Sequence, residues 1–158
     1  MIRPGRYTDI LPLLKLTSKL FYESGYSDSL GVSYSEDSCM YFLKWQMDGD
    51  DRTILVYEKD GEIVGFLIGQ KGRWMLNKDE FIGVSLYWYV DPKHRKGLAS
   101  TSLIKAFEEW CRKVGCVGID TGTTTALQGR RVSKLFERLG FPEYGITHSK
   151  SLRRNGDG

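Results

Sequence analysis

Residues 93–100 read Lys-His-Arg-Lys-Gly-Leu-Ala-Ser, a run of cations that ends in small residues. Directly behind it, Leu103, Ala106, Phe107, Trp110, Cys111 and Val114 recur at helical spacing, so the run sits where a helix begins. The first amides of a helix have no partner within the helix, and its dipole places partial positive charge there. With Arg95 and Lys96 beside them, the amides of 95–100 can hold a phosphate or pyrophosphate. Gly97 serves that purpose because a side chain at this position would hold an anion off the backbone. A solvated basic turn and a nonspecific nucleic-acid patch are the rival readings of the same residues.

Elements on either side must position this loop. Before it, Phe81–Val90 (FIGVSLYWYV) has the composition of a strand. Behind it, the amphipathic helix carries Lys105, Glu108, Glu109, Arg112 and Lys113 on its polar face and has Gly115 as its cap. Upstream, a short strand is expected within 1–9 and a helix over 10–22, with Thr8 or Asp9 as its cap. The Ser/Gly/Tyr-rich segment 23–34 reads as an irregular loop. Ser33 and Glu36 have capping-box spacing for a second helix through Met47. Strands over 53–57 and 63–68 flank Asp60-Gly61, a type I′ hairpin signal. Downstream, 116–121 reads as a buried fifth strand, and Val132, Leu135, Phe136 and Leu139 as the inner face of a last helix. Gly140-Phe141-Pro142 stops that helix, a final strand or extension occupies 144–152, and 153–158 is a flexible tail. The order β-α-α-β-β-β-α-β-α-β over 1–152 describes a single α/β domain. Its hairpins are antiparallel, and its late β-α-β crossover is parallel and right-handed.

Two stretches carry a resemblance. Val90, Pro92, Arg95, Gly97 and Ala99, leading into a helix, are similar to the acyl-CoA-binding motif of the GCN5-related N-acetyltransferases (GNAT). That motif usually runs V-x-P-x-x-R-G-x-G-x-G/A, and here the spacing from Pro92 to Gly97 is one residue shorter. Farther on, KLFERLGF at 134–141 resembles the family's "lYeklGF" ending of the last helix. The element order resembles the family's over nearly the whole chain. The resemblance implies a mixed, mostly antiparallel sheet with helices on both faces and strands four and five splayed apart.

The resemblance also implies a reaction: direct transfer of an acyl group, acetyl in the first place, from acetyl-CoA to a primary amine. Tyr89 and Val90 would pair with the pantetheine through their backbone. Arg95, Lys96, Gly97, Leu98, Ala99 and Ser100 would hold the pyrophosphate, and Phe136 would touch the pantetheine edge. The family's frequent tyrosine acid falls at Phe136, and residues 85–89 contain no carboxylate in place of the usual strand-four glutamate. Tyr87, which shares a strand face with Tyr89, and Asp120, at the end of strand five, stand as substitutes for the catalytic acid and base. Glu23 and Tyr26 lie in the segment that lines the acceptor site in such proteins. The acceptor is then a small-molecule amine or a protein amine, and a homodimer stays open.

Composition narrows the alternatives. With 158 residues, 41% hydrophobic and 27% charged, the chain has the makings of a globular core. A net charge of +3 argues against nucleic acid as the main partner, although Lys150, Arg153 and Arg154 add to the basic loop. Cys39, Cys111 and Cys116 form neither a CxxC pair nor a His/Cys cluster, so neither a metal nor a disulfide framework is expected. No apolar run approaches a membrane span, and a cytoplasmic protein is the expectation. Beside the transferase reading stands a different class: a fold-related protein that binds CoA as a sensor or adaptor with little turnover.

Overall fold

In the computed structural model the hydrophobic patterning resolves into one sheet of five strands in the order β1-β2-β3-β4-β5. The structure describes residues 1–122, 129–145 and 147–153. The strands are β1 (Ile2–Pro4), β2 (Arg52–Lys59), β3 (Glu62–Arg73), β4 (Phe81–Val90) and β5 (Gly118–Asp120). Pairing is antiparallel from β1 through β4 and parallel between β4 and β5. The helices are α1 (Ile10–Ser24), α2 (Tyr26–Leu30), α3 (Glu36–Met47), α4 (Ala99–Lys113) and α5 (Gly129–Arg138).

Each face of the sheet buries its own core. On one face Leu13, Leu14, Leu20 and Leu43 of α1 and α3 meet Ile54, Val56, Phe66, Ile68 and Tyr89. On the other, Leu103, Phe107 and Cys111 of α4 meet Leu55, Leu67 and Val90. Alternation along β2 and β3 produces this division, since successive side chains point to opposite faces. The α4 helix lies close to the sheet. A Cβ on Gly69 would stand 2.2 Å from the Phe107 ring, and one on Gly83 would stand 2.2 Å from Cys111 Sγ.

Several local expectations hold. Asp60 and Gly61 both have positive φ, 53° and 81°, as a type I′ turn requires. The stop after α5 is a Schellman motif: Phe141 N donates to Phe136 O and Gly140 N to Glu137 O, with Gly140 at φ 87°. The rings of Phe136 and Phe141 then meet at 5.8 Å, closing the motif with an apolar contact.

Other expectations are corrected. The cap of α3 is Ser35, whose Oγ accepts from Ser38 N, and not Ser33. Segment 23–34 is not wholly irregular, because Gly25 (φ 66°) ends α1 and α2 follows at once. β3 runs on to Arg73, since its hairpin with β4 stays paired to Phe81. The fifth strand has only three residues and none is buried. No strand occurs within 144–145 or 147–152. Residues 123–128 lie outside the described residues, as do 146 and most of the expected tail, 154–158.

The β4 strand positions the site. Ser85 pairs with Gly69 and Tyr87 with Ile68, so Leu86 is an extra residue and forms a bulge. β5 pairs only with Ile82, Gly83 and Val84. Ser85 Oγ and Thr121 Oγ1 share a hydrogen bond of 2.7 Å at the fork, and beyond it β4 continues to Val90 with no paired strand on that edge among the described residues. This is the expected splay of strands four and five.

Candidate active site

A cleft of about 760 Å³ opens along the unpaired edge of β4. One wall is the end of α1 and the start of α2, with Leu20, Glu23 and Tyr26. The floor is the bulged half of β4, and the far wall is the basic loop, the start of α4 and the inner face of α5.

The loop forms in two tight steps. Asp91 caps a 3-10 turn over Pro92–His94, its carboxylate accepting from Lys93 N at 3.1 Å. The amides of His94, Arg95 and Gly97 bond back to Asp91, Pro92 and His94. Those of Lys96, Leu98, Ala99, Ser100 and Thr101 have no acceptor among the described residues. Donors left over at the start of a fifteen-residue helix suit an anion with several oxygens. A Cβ on Gly97 would find only the His94 carbonyl, at 3.6 Å, so this glycine leaves space and does not relieve a clash. The phosphates of CoA fit this donor set.

Alternation decides which backbone groups of β4 face the gap. Asp91 N donates to Val64 O on β3, so the polar groups of Tyr89 also turn to β3, and those of Trp88 and Val90 turn to the open edge. An extended ligand arm would therefore pair with Trp88 and Val90. The expectation that Tyr89 offers its backbone there is corrected. Its phenol lines the cleft instead.

Side chains link the two walls. Glu23 Oε2 accepts from Arg95 Nη2 at 2.5 Å, and Glu23 Oε1 accepts from the Tyr89 hydroxyl at 2.8 Å. Arg95 Nε donates to Val90 O at 2.8 Å, and the guanidinium lies 5.2 Å from the centre of the Tyr89 ring. Lys19 of α1 reaches Asp91 at 2.5 Å and tethers the loop's first residue. The Lys19 ammonium, and then the Lys93 amide, hold the Asp91 carboxyl below its usual value against the opposing effect of burial. Burial first, and then the bond to Glu23, push the Tyr89 phenol well above the usual tyrosine range.

Tyr87 shares its sheet face with Tyr89, as expected, and packs edge-on against Phe42 of α3 at 5.9 Å. Burial raises its phenol from the ordinary value, which keeps the proton on Oη at neutral pH. Its residue is 40% exposed, so the hydroxyl can reach a ligand. Phe21 contacts Tyr22, Tyr26 and Tyr34 at 5.3–5.9 Å, an aromatic backing behind the wall formed by α1 and α2.

Nine of the residues singled out from the sequence line one cleft: Glu23, Tyr26, Tyr87, Tyr89, Val90, Arg95, Lys96, Gly97 and Ser100. Leu98 and Ala99 do not line it with side chains, although their amides belong to the anion cradle; Leu98 points to solvent and Ala99 is buried. Asp120 and Phe136 are not brought there. Both line a second cavity between β5, α4 and the segment after α5. Phe136 packs against Trp88 at 5.8 Å and supports the cleft floor from behind. Sequence reading missed Trp88, whose backbone faces the open edge, and Arg131, a cation in the first turns of α5. Arg131 could have been noticed as part of the Gly-Arg-Arg opening of that helix. Among the described residues no group of three or more His, Cys, Asp or Glu could hold a metal, and no helix is long and apolar enough to cross a membrane.

The sequence matches the model of the Acetyltransferase (GNAT) family over residues 18–141. An aminoglycoside N-acetyltransferase AAC(6')-Iy in complex with CoA is similar in structure, with a TM-score of 0.75 at 18% identity, over 95% of this chain and 93% of that one. Glucosamine-6-phosphate N-acetyltransferase from Arabidopsis thaliana gives 0.74 at 17% identity, over 97% and 98%. Aminoglycoside 6'-N-acetyltransferase AAC(6')-IG from Acinetobacter haemolyticus gives 0.73 at 22% identity, over 98% and 99%. At these identities the likeness is one of fold. No curated protein matches the sequence.

Proposed function

The chain belongs to the GNAT family of acetyltransferases, and from that premise we propose that it transfers an acyl group, acetyl in the first place, directly from acyl-CoA to a primary amine. The observation that carries this reading is the continuity of one cleft. It runs from five amides with no acceptor among the described residues, past the open edge of β4, to a carboxylate and phenols on the opposite side.

Acyl-CoA, when bound, supplies a thioester already activated for attack by an amine. The chain's own residues then have separable tasks. The amides of Lys96 and 98–101, with the dipole of α4 and the charge of Lys96, take the pyrophosphate. Trp88 and Val90 offer backbone groups to the extended arm, as an edge strand does to an added one. A fixed amide at this edge can also polarise the acyl oxygen, while holding both reactants in one cleft supplies much of the rate. Tyr87 holds a proton at Oη for the departing sulfur, and the amine attacks as the neutral base, the proton it gives up passing to water in the open cleft. Glu23 and Tyr26 receive the amine at the other end. Asp120 has no part in this assignment, since it lies outside the cleft. The three cysteines are unpaired, which suits a reducing, cytoplasmic setting.

Calorimetric titration with acetyl-CoA, desulfo-CoA and ADP, followed by an amine panel, tests the proposal. Acetyl-CoA should bind clearly more tightly than ADP, and at least one primary amine should turn over. Absence of binding would overturn the reading. Phe136, in place of a tyrosine, and a β4 without carboxylates favour one alternative, a CoA-binding sensor. Binding without turnover of any amine would select it.

A further inference from the structure

Glu23 is the single carboxylate among the described residues that line the cleft, and neither of its oxygens is free. Oε1 accepts from Tyr89 and Oε2 from Arg95. Arg95 belongs to the basic loop, yet its guanidinium bonds across the cleft to Glu23. There it also covers the Val90 carbonyl, the acceptor that β4 presents at its open edge. One side chain thus occupies two groups that the bound reactants need. Burial does not lock it in place: the Arg95 and Glu23 side chains are 25% and 34% exposed.

We infer that Arg95 exchanges partners, pairing with Glu23 in the free chain and with the pyrophosphate once the amide cradle is loaded. Loading then uncovers Val90 O and releases Glu23 Oε2 to accept the ammonium of the incoming amine. This inference rests on the acyltransferase reading and adds an order to it: the anion first, the cation second. The planar guanidinium fork fits a carboxylate and a phosphate equally well, so the exchange needs no new geometry at Arg95. A pyrophosphate also gains the five amides, to none of which Glu23 is bonded. The amine site is thereby neutralised until the cofactor is in place.

The test is a double-mutant cycle on the full chain, read by calorimetric titration with acetyl-CoA and with ADP. In the free wild-type chain the Glu23 pair competes for Arg95, so Glu23→Gln should tighten both ligands by about two- to fivefold, the range of a half-exposed ion pair. In an Arg95→Gln background the same change should have no effect. Unchanged or weakened affinity in Glu23→Gln would overturn the exchange, because the pair would then be a permanent strut. Equal tightening in both backgrounds would also overturn it, since Glu23 would be acting on the anion without Arg95. A gain for acetyl-CoA and none for ADP would overturn the pyrophosphate as the second partner. Arg95→Lys, which keeps the charge and loses the fork, serves in the cycle if Arg95→Gln does not melt cooperatively. If wild type binds neither ligand, the acyltransferase reading falls as well; if wild type binds and the cycle is additive, only the exchange falls.

Discussion

The two sides of the cleft are built on different principles. The cofactor-side wall is backbone: a capped 3-10 turn, a short loop and the first amides of α4, all within 91–101. The side proposed for the acceptor is side chains: Glu23 and Tyr26 of the wall and Tyr87 of the floor, backed by Phe21, Tyr34 and Phe42. A backbone site depends on a few residues close in sequence, while a side-chain site depends on which distant elements fold against each other. The first should fail when its amides are blocked. The second should fail when single functional groups are removed, and of these only Glu23 is joined to the first, through Arg95.

The largest effect should come from blocking the amides. Gly97→Glu places a carboxylate at the cradle, and acetyl-CoA affinity should fall at least about a hundredfold in calorimetry, as expected for a charge opposed at close range. A Cβ at this position meets no closer neighbour than 3.6 Å, so the melting temperature should stay within a degree or two of wild type. A large loss of stability would break the comparison, because the loop would then be structural.

Removing one group from the other side should separate rate from affinity. Tyr87→Phe should lower kcat by roughly a hundredfold, the low end of general-acid contributions, with acetyl-CoA affinity unchanged. The sign of its pH dependence follows from burial. The raised phenol keeps its proton beyond the ordinary value of 10.0, so wild type should lose rate only above that pH, and the variant should lack this alkaline limb. A normal rate in Tyr87→Phe would remove Tyr87 from the mechanism.

A different glycine sharpens the contrast from the side of the core. Gly69→Ala would set a methyl 2.2 Å from the Phe107 ring and 3.1 Å from Val84 O, and Phe107 is held by stacking on Trp110. Denaturant unfolding should show a loss of about 2 kcal/mol, the usual cost of overpacking. The smallest effect belongs to the tether between the walls. Asp91→Asn should cost about 1 kcal/mol or less. The wild-type carboxyl is depressed by Lys19, so its contribution is fully present above the unfolded value of about 3.9 and is lost as pH falls through the folded value. The difference in melting temperature between wild type and variant should therefore be constant near neutrality and vanish in acid.

The same division explains what could be read from the sequence. The strand Phe81–Val90, the anion loop, the face of α4, the Asp60-Gly61 turn and the Gly140-Phe141 stop were all legible, since each is set by residues within a few positions of one another. The link from Glu23 to Arg95 spans 72 positions and exists only because α1 packs over β4. Tyr87 was placed on the correct face by counting back from Tyr89, but the bulge at Leu86 left no mark in the hydrophobic pattern. No residue type marks the backbone of Trp88 as facing the open edge, because that follows from how β4 pairs with β3. Asp120 is expected near the chemistry from its place at the end of strand five, and Phe136 from its match to the family's last-helix tyrosine. Yet β5 stops three residues after it starts, and α5 turns Phe136 behind the floor.

The odd residue in β4 has one more consequence. Ten residues of this strand lie against nine of β3, because Leu86 and Tyr87 both point to the α1 face. Were Leu86 to pair with Ile68, each position beyond it would change parity. The two phenols would pass to the α4 side, and the Trp88 indole and Val90 would come to face the amine. The chemical identity of both sides of the sheet therefore hangs on a count, and the stretch can accept changes of letter far more readily than changes of length.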